Sequence, residues 1–304
     1  MAMAAMGTAA MGTAAAVTTW TKVVHDESWL GIGLAYSPSA RRIADRCPEL
    51  VDHLEIPFEL IRAEPSLLDS LEGQQVLLHS ASLSLAGALP LDRIKVDELA
   101  AMRARLSSPW ISEHAAFIDA PNPHAPQHGV YESGFTIAPS MNADVALHIA
   151  TRLDSVYNMV GYPVLIENSP LYFESPGSDL SYPDFFRLIV ENSPAMLLLD
   201  LTHLVISARN LGFDADEALH ALPRDRITQL HLSGIETVEG IAWDNHASAV
   251  PEDVLRLVAP AMAAGGVRAV TLEYNWISAF TDEAVVTQLG RVRNAVTHAT
   301  SQLA

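Results

Sequence analysis

Short apolar runs of strand length recur along the chain at 30–35, 51–56, 76–79, 110–114, 164–167, 196–200, 227–232 and 269–273. Between them, at 96–106, 143–160, 182–190, 254–264 and 283–296, apolar residues fall three and four apart, the spacing of amphipathic helices. Strand followed by helix, repeated, predicts a parallel sheet covered by helices. Eight units with no glycine-rich phosphate turn after the first strand favour a closed sheet over an open doubly wound one. The expected fold is α/β, a single (β/α)8 TIM barrel.

Two connections after strands are long. One is 115–142, with Pro121, Pro123, His124, Pro126 and His128; the other is 169–182, with Pro170, Tyr172, Pro176 and Gly177. Loops of that length at a barrel mouth are expected to serve as lids. At the start of the chain, Ala-Ala-Met-Gly-Thr occurs twice, at 4–8 and 9–13. Residues 1–22 are expected to form a flexible low-complexity tail, unless the start codon is set too early, and 23–304 the catalytic barrel. A signal peptide would place basic residues ahead of its apolar stretch, whereas the first lysine is Lys22.

Composition narrows the function. Apolar residues make up 49% of the chain and charged residues 18%, enough for a large core. No run of about 18 strongly apolar residues predicts a membrane span. With 36 acidic against 18 basic residues, the formal charge of -18 repels phosphate backbones and argues against nucleic acid as partner. The lone cysteine, Cys47, excludes an internal disulfide and is expected to pack on the first helix. A soluble, cytoplasmic protein is expected.

Residues able to hold metal recur at the C-terminal ends of the strands: Glu55, His79, Glu113 with His114, Glu167 with Asn168, Asp200, His231 and Glu273. A parallel barrel gathers these ends around one mouth, where barrel enzymes place their chemistry. His203 and the run Asp244-Asn245-His246 add donors of the same type. Carboxylates neutralise and bridge cations while imidazole gives directional nitrogen, a mixture suited to iron, manganese or zinc. Ionisable groups ending apolar strands are costly to bury without such a partner. Glu55 stays open between the site and an ion pair with Arg41, Arg42 or Arg62. His53 stays open between a core histidine and a support for a ligand. His124 and His128 are expected to be solvated, and His25, His148, His220 and His298 to lie on the surface or in packing.

At these residues the chain resembles the multinuclear non-haem iron-dependent oxidative enzymes, barrel proteins that modify ribosomally made peptides and include the oxidase of methanobactin biosynthesis. The resemblance runs from about 31 to 275. It rests on Gly31-Ile32-Gly33-Leu34, Leu78-His79 with Leu83-Ser84-Leu85, Ile111-Ser112-Glu113-His114, Leu165-Ile166-Glu167-Asn168, Leu198-Leu199-Asp200, His231-Leu232-Ser233-Gly234, Asp244-Asn245-His246 and Leu272-Glu273-Tyr274. It implies two or three irons in mixed valence, held among His79, Glu113, His114, Glu167, Asn168, Asp200, His203, His231, Asp244, His246 and Glu273. It also implies dioxygen as co-substrate, a precursor peptide oxidised at cysteine or another residue, and a separate partner protein that presents the peptide. The pattern departs at Glu59-Leu60-Ile61, where the family often has Glu-Asn-aromatic, and at Ile235-Glu236, where many members carry histidine.

Two other readings use the same residues. Xylose-isomerase-like barrels include sugar isomerases and epimerases with two divalent ions, and hydrolases of abasic DNA with three zincs. An isomerase usually carries a lysine or paired carboxylate as base, and no lysine follows Lys95. The third reading is a non-catalytic, metal-binding scaffold.

Overall fold

The computed structural model describes residues 28–122, 129–162, 164–274 and 280–303. Its strands are β1 (Gly31–Ala35), β2 (Leu54–Pro57), β3 (Val76–Ser80), β4 (Ile111–His114), β5 (Phe117–Pro121), β6 (Val130–Ile137), β7 (Val164–Glu167), β8 (Met196–Asp200), β9 (Ile227–Leu232), β10 (Ile235–Val238), β11 (Ile241–Asp244) and β12 (Ala269–Leu272). Eight of them pair in parallel and close in the order β1-β12-β9-β8-β7-β4-β3-β2, the barrel expected from the alternation. The expected tail and His25, His124 and His128 lie outside the described residues.

Local chemistry starts the helices where the pattern changes. Ser37 accepts from the Ala40 amide ahead of Pro38–Arg46, Asp92 from Ile94 and Lys95 ahead of Arg93–Leu106, and Asn142 from Val145 ahead of Ala143–Val160. Asp200 ends β8 and caps Leu201–Leu211 by accepting from the His203 amide. Cys47 follows the first helix as its C-cap, its amide donating to Ile43 O. The helix expected over 254–264 is two shorter ones, Glu252–Arg256 and Val258–Met262. Pro260 lacks the N–H that would reach Arg256 O, so the helix breaks there.

Most of the core lies between the strands and the surrounding helices, with Leu34, Ile43, Leu54, Phe58, Ile149 and Phe185 buried in it. A second cluster, Leu77, Trp110, Leu165, Met196, Leu198 and Ala269, fills the floor of the barrel itself. The two clusters alternate along the strands, with Leu77 inward between outward Val76 and Leu78. Gly33 is dictated by this interior, since a Cβ there would sit 2.3 Å from atoms of His53.

Two excursions are hairpins where the pattern had given only loops. β5 pairs antiparallel with β6 inside the long connection after β4, and β10 pairs with β11 after β9. Their side chains face mainly solvent, which is why no apolar run announced them. Among the described residues no helix is long and apolar enough to cross a membrane.

Candidate metal centre

The period of two carries each inward strand face from an apolar floor to a polar mouth. β12 climbs through Ala269 and Thr271 to Glu273, β4 through Trp110 and Ser112 to His114, and β8 through Met196 and Leu198 to Asp200. Leu165 leads likewise to Glu167, Leu77 to His79, and Gln229 to His231. The strand ends thus converge on one ring.

Glu167 is its hub. Its Oε2 lies 3.2 Å from His114 Nε2 and 3.4 Å from His79 Nε2, while its Oε1 lies 3.5 Å from His231 Nδ1 and 3.7 Å from His203 Nδ1. His231 Nδ1 is also 3.4 Å from Glu273 Oε1. Beside it, Asp244 Oδ2 stands 2.8 Å from His246 Nε2 and 3.2 Å from His203 Nε2. Three groups able to grip a cation result: His79, His114 and Glu167; Glu167, Asp200, His231 and Glu273; and His203, Asp244 and His246.

Four histidines have one ring nitrogen committed to the protein. His203 Nδ1 donates to Asn168 O at 2.7 Å and His114 Nδ1 to Ser80 O at 3.3 Å, because a carbonyl only accepts. His79 Nδ1 is 2.8 Å from Ser112 Oγ, and His231 Nε2 is 3.0 Å from Glu55 Oε2. In each case the other nitrogen turns toward the carboxylates of the ring, as in histidines that hold metal. The buried atoms Glu55 Oε1, Glu167 Oε2, Asp200 Oδ2 and His231 Nδ1 have no hydrogen-bond partner among the described residues. Buried polar atoms are normally satisfied, so their concentration in one ring fits a cation.

Of the residues that the resemblance puts around the irons, all but Glu113 and Asn168 fall in these three groups. Glu113 Oε2 instead accepts from Ser80 Oγ and from the amides of Ser82 and Leu83, and its Oε1 from the His114 amide, so it braces the turn after β3. The Asn168 side chain bonds the Asp200 backbone twice, donating to O at 2.9 Å and accepting from N at 2.8 Å. Glu55 pairs with none of the three arginines considered for it: Arg41 holds Asp45, Arg42 holds Asp282 and Arg62 holds Glu98. It faces the ring, bonded to Gln229, Thr271 and His231. His53 is a core histidine, with Nδ1 3.3 Å from Leu30 O and Nε2 3.1 Å from Thr271 Oγ1. Pattern reasoning passed over Gln229, Thr271 and Ser112. The inward parity they share with His231, Glu273 and His114 was the available signal.

The electrostatics are those of a ring that wants positive charge. Burial raises the Glu167 and Asp244 carboxyls, but facing histidines outweigh it and hold both below the usual carboxylate range. The same contest leaves Glu55, beside His231, at about 2, and Glu273, also beside His231, at about 2. Asp200 is pushed up to about 6 by burial and by Glu167, Glu273 and Asp244 around it, against the pull of His203. Burial opposes charge on His231, His203 and His246, yet Glu55, Asp200 and Asp244 respectively overcome it, raising His246 to about 9. Burial lowers His79 below its ordinary value.

Comparison with known proteins gives the fold and the family. The UPF0276 protein of Chromobacterium violaceum is 29% identical over 249 residues, covering 81% of this chain and 87% of its own. Among solved structures, the 3-keto-D-glucoside 4-epimerase YcjR of E. coli superposes with a TM-score of 0.57 at 16% identity, over 86% of this chain and 98% of that one. The IOLI protein, solved with a bound zinc atom, gives 0.54 at 11% identity, over 88% and 98%. At such identities the likeness shows the fold, a xylose-isomerase-like barrel. The family model described as RiPP precursor modification enzyme MbnB/TglH/ChrH matches residues 29–296, and the chain belongs to that family.

Proposed function

We propose that the ring holds two or three iron ions in mixed valence and that the protein, with 23–304 as its catalytic domain, uses dioxygen to oxidise a residue, foremost cysteine, of a ribosomally made precursor peptide. The observation that carries this reading is the position of Glu167, which belongs to two cation-gripping groups at once and turns each oxygen to a different pair of histidines. A carboxylate so placed would serve two neighbouring ions at once. Iron bound there would supply the redox chemistry that acts on dioxygen and peptide. Donors of nitrogen and oxygen without thiolate suit iron, manganese or zinc.

The chain's own residues prepare that chemistry. Glu55, Ser112, Ser80 O and Asn168 O orient the four histidines before any ion arrives. The apolar floor under the ring excludes water from below. Exposed Phe135 and Trp243 on the two hairpins and Phe173 in the connection after β7 offer apolar surface to a peptide. Presentation of that peptide by a separate protein, in the reducing cytoplasm, completes the reading. Nucleic acid and membrane have no part in it.

The test is protein purified at low oxygen, with metals per chain by elemental analysis and iron oxidation states by Mössbauer spectroscopy. Two or three irons, and dioxygen uptake with a precursor peptide, are expected. Zinc or manganese without iron, from cells grown with ample iron, would shift the reading to a sugar isomerase, epimerase or hydrolase. No metal at all would overturn it.

A further inference from the structure

Glu55 is a fully enclosed carboxylate beside the ring that belongs to none of the three cation-gripping groups. Its Oε2 takes hydrogen bonds from Gln229 Nε2 at 2.5 Å, Thr271 Oγ1 at 2.6 Å and His231 Nε2 at 3.0 Å. Below it, Trp110 Nε1 meets Gln229 Oε1 at 2.8 Å. An indole N–H only donates, so this bond fixes which end of the Gln229 amide is oxygen and turns its NH2 toward Glu55. The chain of bonds runs from the barrel floor to a ligand-type histidine, and every member is buried.

The direction of those bonds has a consequence for His231. With Nε2–H given to Glu55, the lone pair available to a cation is on Nδ1, which faces Glu167 Oε1 at 3.5 Å and Glu273 Oε1 at 3.4 Å. A carboxylate accepting from the far nitrogen makes an imidazole a stronger donor.

We propose that Glu55 is a positioning residue for His231: held by Trp110, Gln229 and Thr271, it fixes the Nε2–H tautomer and strengthens Nδ1 as a ligand without binding metal itself. This rests on the metal-centre reading. The rival role, Glu55 as a ligand, would use its unpartnered Oε1, an atom 3.7 Å from His79 Nδ1, which itself stands 2.8 Å from Ser112 Oγ.

The experiment is titration of metal-free protein with cobalt(II), followed by calorimetry and by the visible d–d spectrum, for the natural chain, Glu55→Gln and Gln229→Leu. Thermal unfolding of each metal-free variant reports folding separately. In Glu55→Gln the number of cobalt ions at saturation should be unchanged, the d–d bands should shift, and one site should weaken roughly 10- to 100-fold. Gln229→Leu, which leaves the carboxylate but removes its support, should lose less in the same direction. One ion fewer at saturation in Glu55→Gln would make Glu55 a ligand and overturn the proposal. Unchanged affinity and spectrum in both variants would also overturn it. The metal-centre reading fails separately, by absence of cobalt binding to the natural chain.

Discussion

The candidate centre has two halves built on different principles. His79, His114, Glu167 and His231 sit on barrel strands, and Glu273 directly follows one. His79, Glu167 and His231 are paired to neighbours on both sides, His114 to Glu167, and the Glu273 amide donates to Leu232 O. Asp244 and His246 hang from the β10-β11 hairpin, outside the barrel, and His246 adopts a left-handed φ of 50° that a side chain bearing Cβ takes up only under constraint. That hairpin is fastened by a few bonds: Ser233 Oγ to Asp244 Oδ1, both ends of the Asn210 amide to Ala242, and the Tyr172–Trp243 stack. A closed barrel cannot move one strand end without disturbing its neighbours, whereas a hairpin can shift alone. The barrel half should therefore define the centre, and the hairpin half should tune or complete it.

The largest effect is expected of Glu167→Ala. Because Glu167 serves two groups, its loss should empty the barrel half, with metal per chain falling to one or fewer and oxidation of a precursor peptide dropping roughly 100-fold or more. Elemental analysis and a peptide turnover assay check both. Asp244→Asn should cost one ion only, since His203 and His246 lose the carboxylate between them while the Glu167 groups stay whole. If Asp244→Asn emptied the centre as completely as Glu167→Ala, the two halves would not be separable.

The hairpin half also responds to acidity. In the metal-free protein His246, raised from its ordinary 6.5 to about 9 mainly by Asp244, contributes stability that is full below pH 6.5. That stability is lost as pH rises through about 9. Binding of a cation to the hairpin group must release the same proton, so its apparent affinity should climb over the same window. Thermal melts and zinc titrations of metal-free protein between pH 6 and 9.5 test both slopes. The slopes should be opposite in sign, and Asp244→Asn should flatten them.

The same division explains what the sequence made legible. The barrel half was readable because β7 and β8 are continuous apolar runs ending in Glu167 and Asp200, β9 sets His231 between Leu230 and Leu232, and topology then brings those ends together. The hairpins were not, because β6 and β10 are mostly exposed strands whose residues have no core to signal. Asp244 and His246 were legible as donor types while their carrier was not. Glu113 and Asn168 show the converse. Both stand at strand ends with the right chemistry, but amides and the Asp200 backbone occupy their polar atoms, and no spacing rule reveals hydrogen bonds to backbone. Glu55 could not be resolved because its partners are 174 to 216 positions away in sequence.

The smallest expected effect lies in the fastening of the hairpin. Asn210 donates to Leu171 O at 3.1 Å and to Ala242 O at 2.9 Å and accepts from the Ala242 amide at 2.8 Å, tying the connection after β7 to β11 just ahead of Asp244. Asn210→Ala leaves those partly buried groups unsatisfied, at a cost of about 1–3 kcal/mol in stability. Every ligand stays in place, so total metal at saturation should not change. What should change is the hairpin group alone: the ion held by His203, Asp244 and His246 should leave several-fold faster into a chelator, while the ions at Glu167 leave at the natural rate. Stopped-flow release into a chromophoric chelator resolves the two phases. A uniform acceleration of both would mean that the hairpin and the barrel move as one body, and the asymmetry argued from their different supports would then have no mechanical basis.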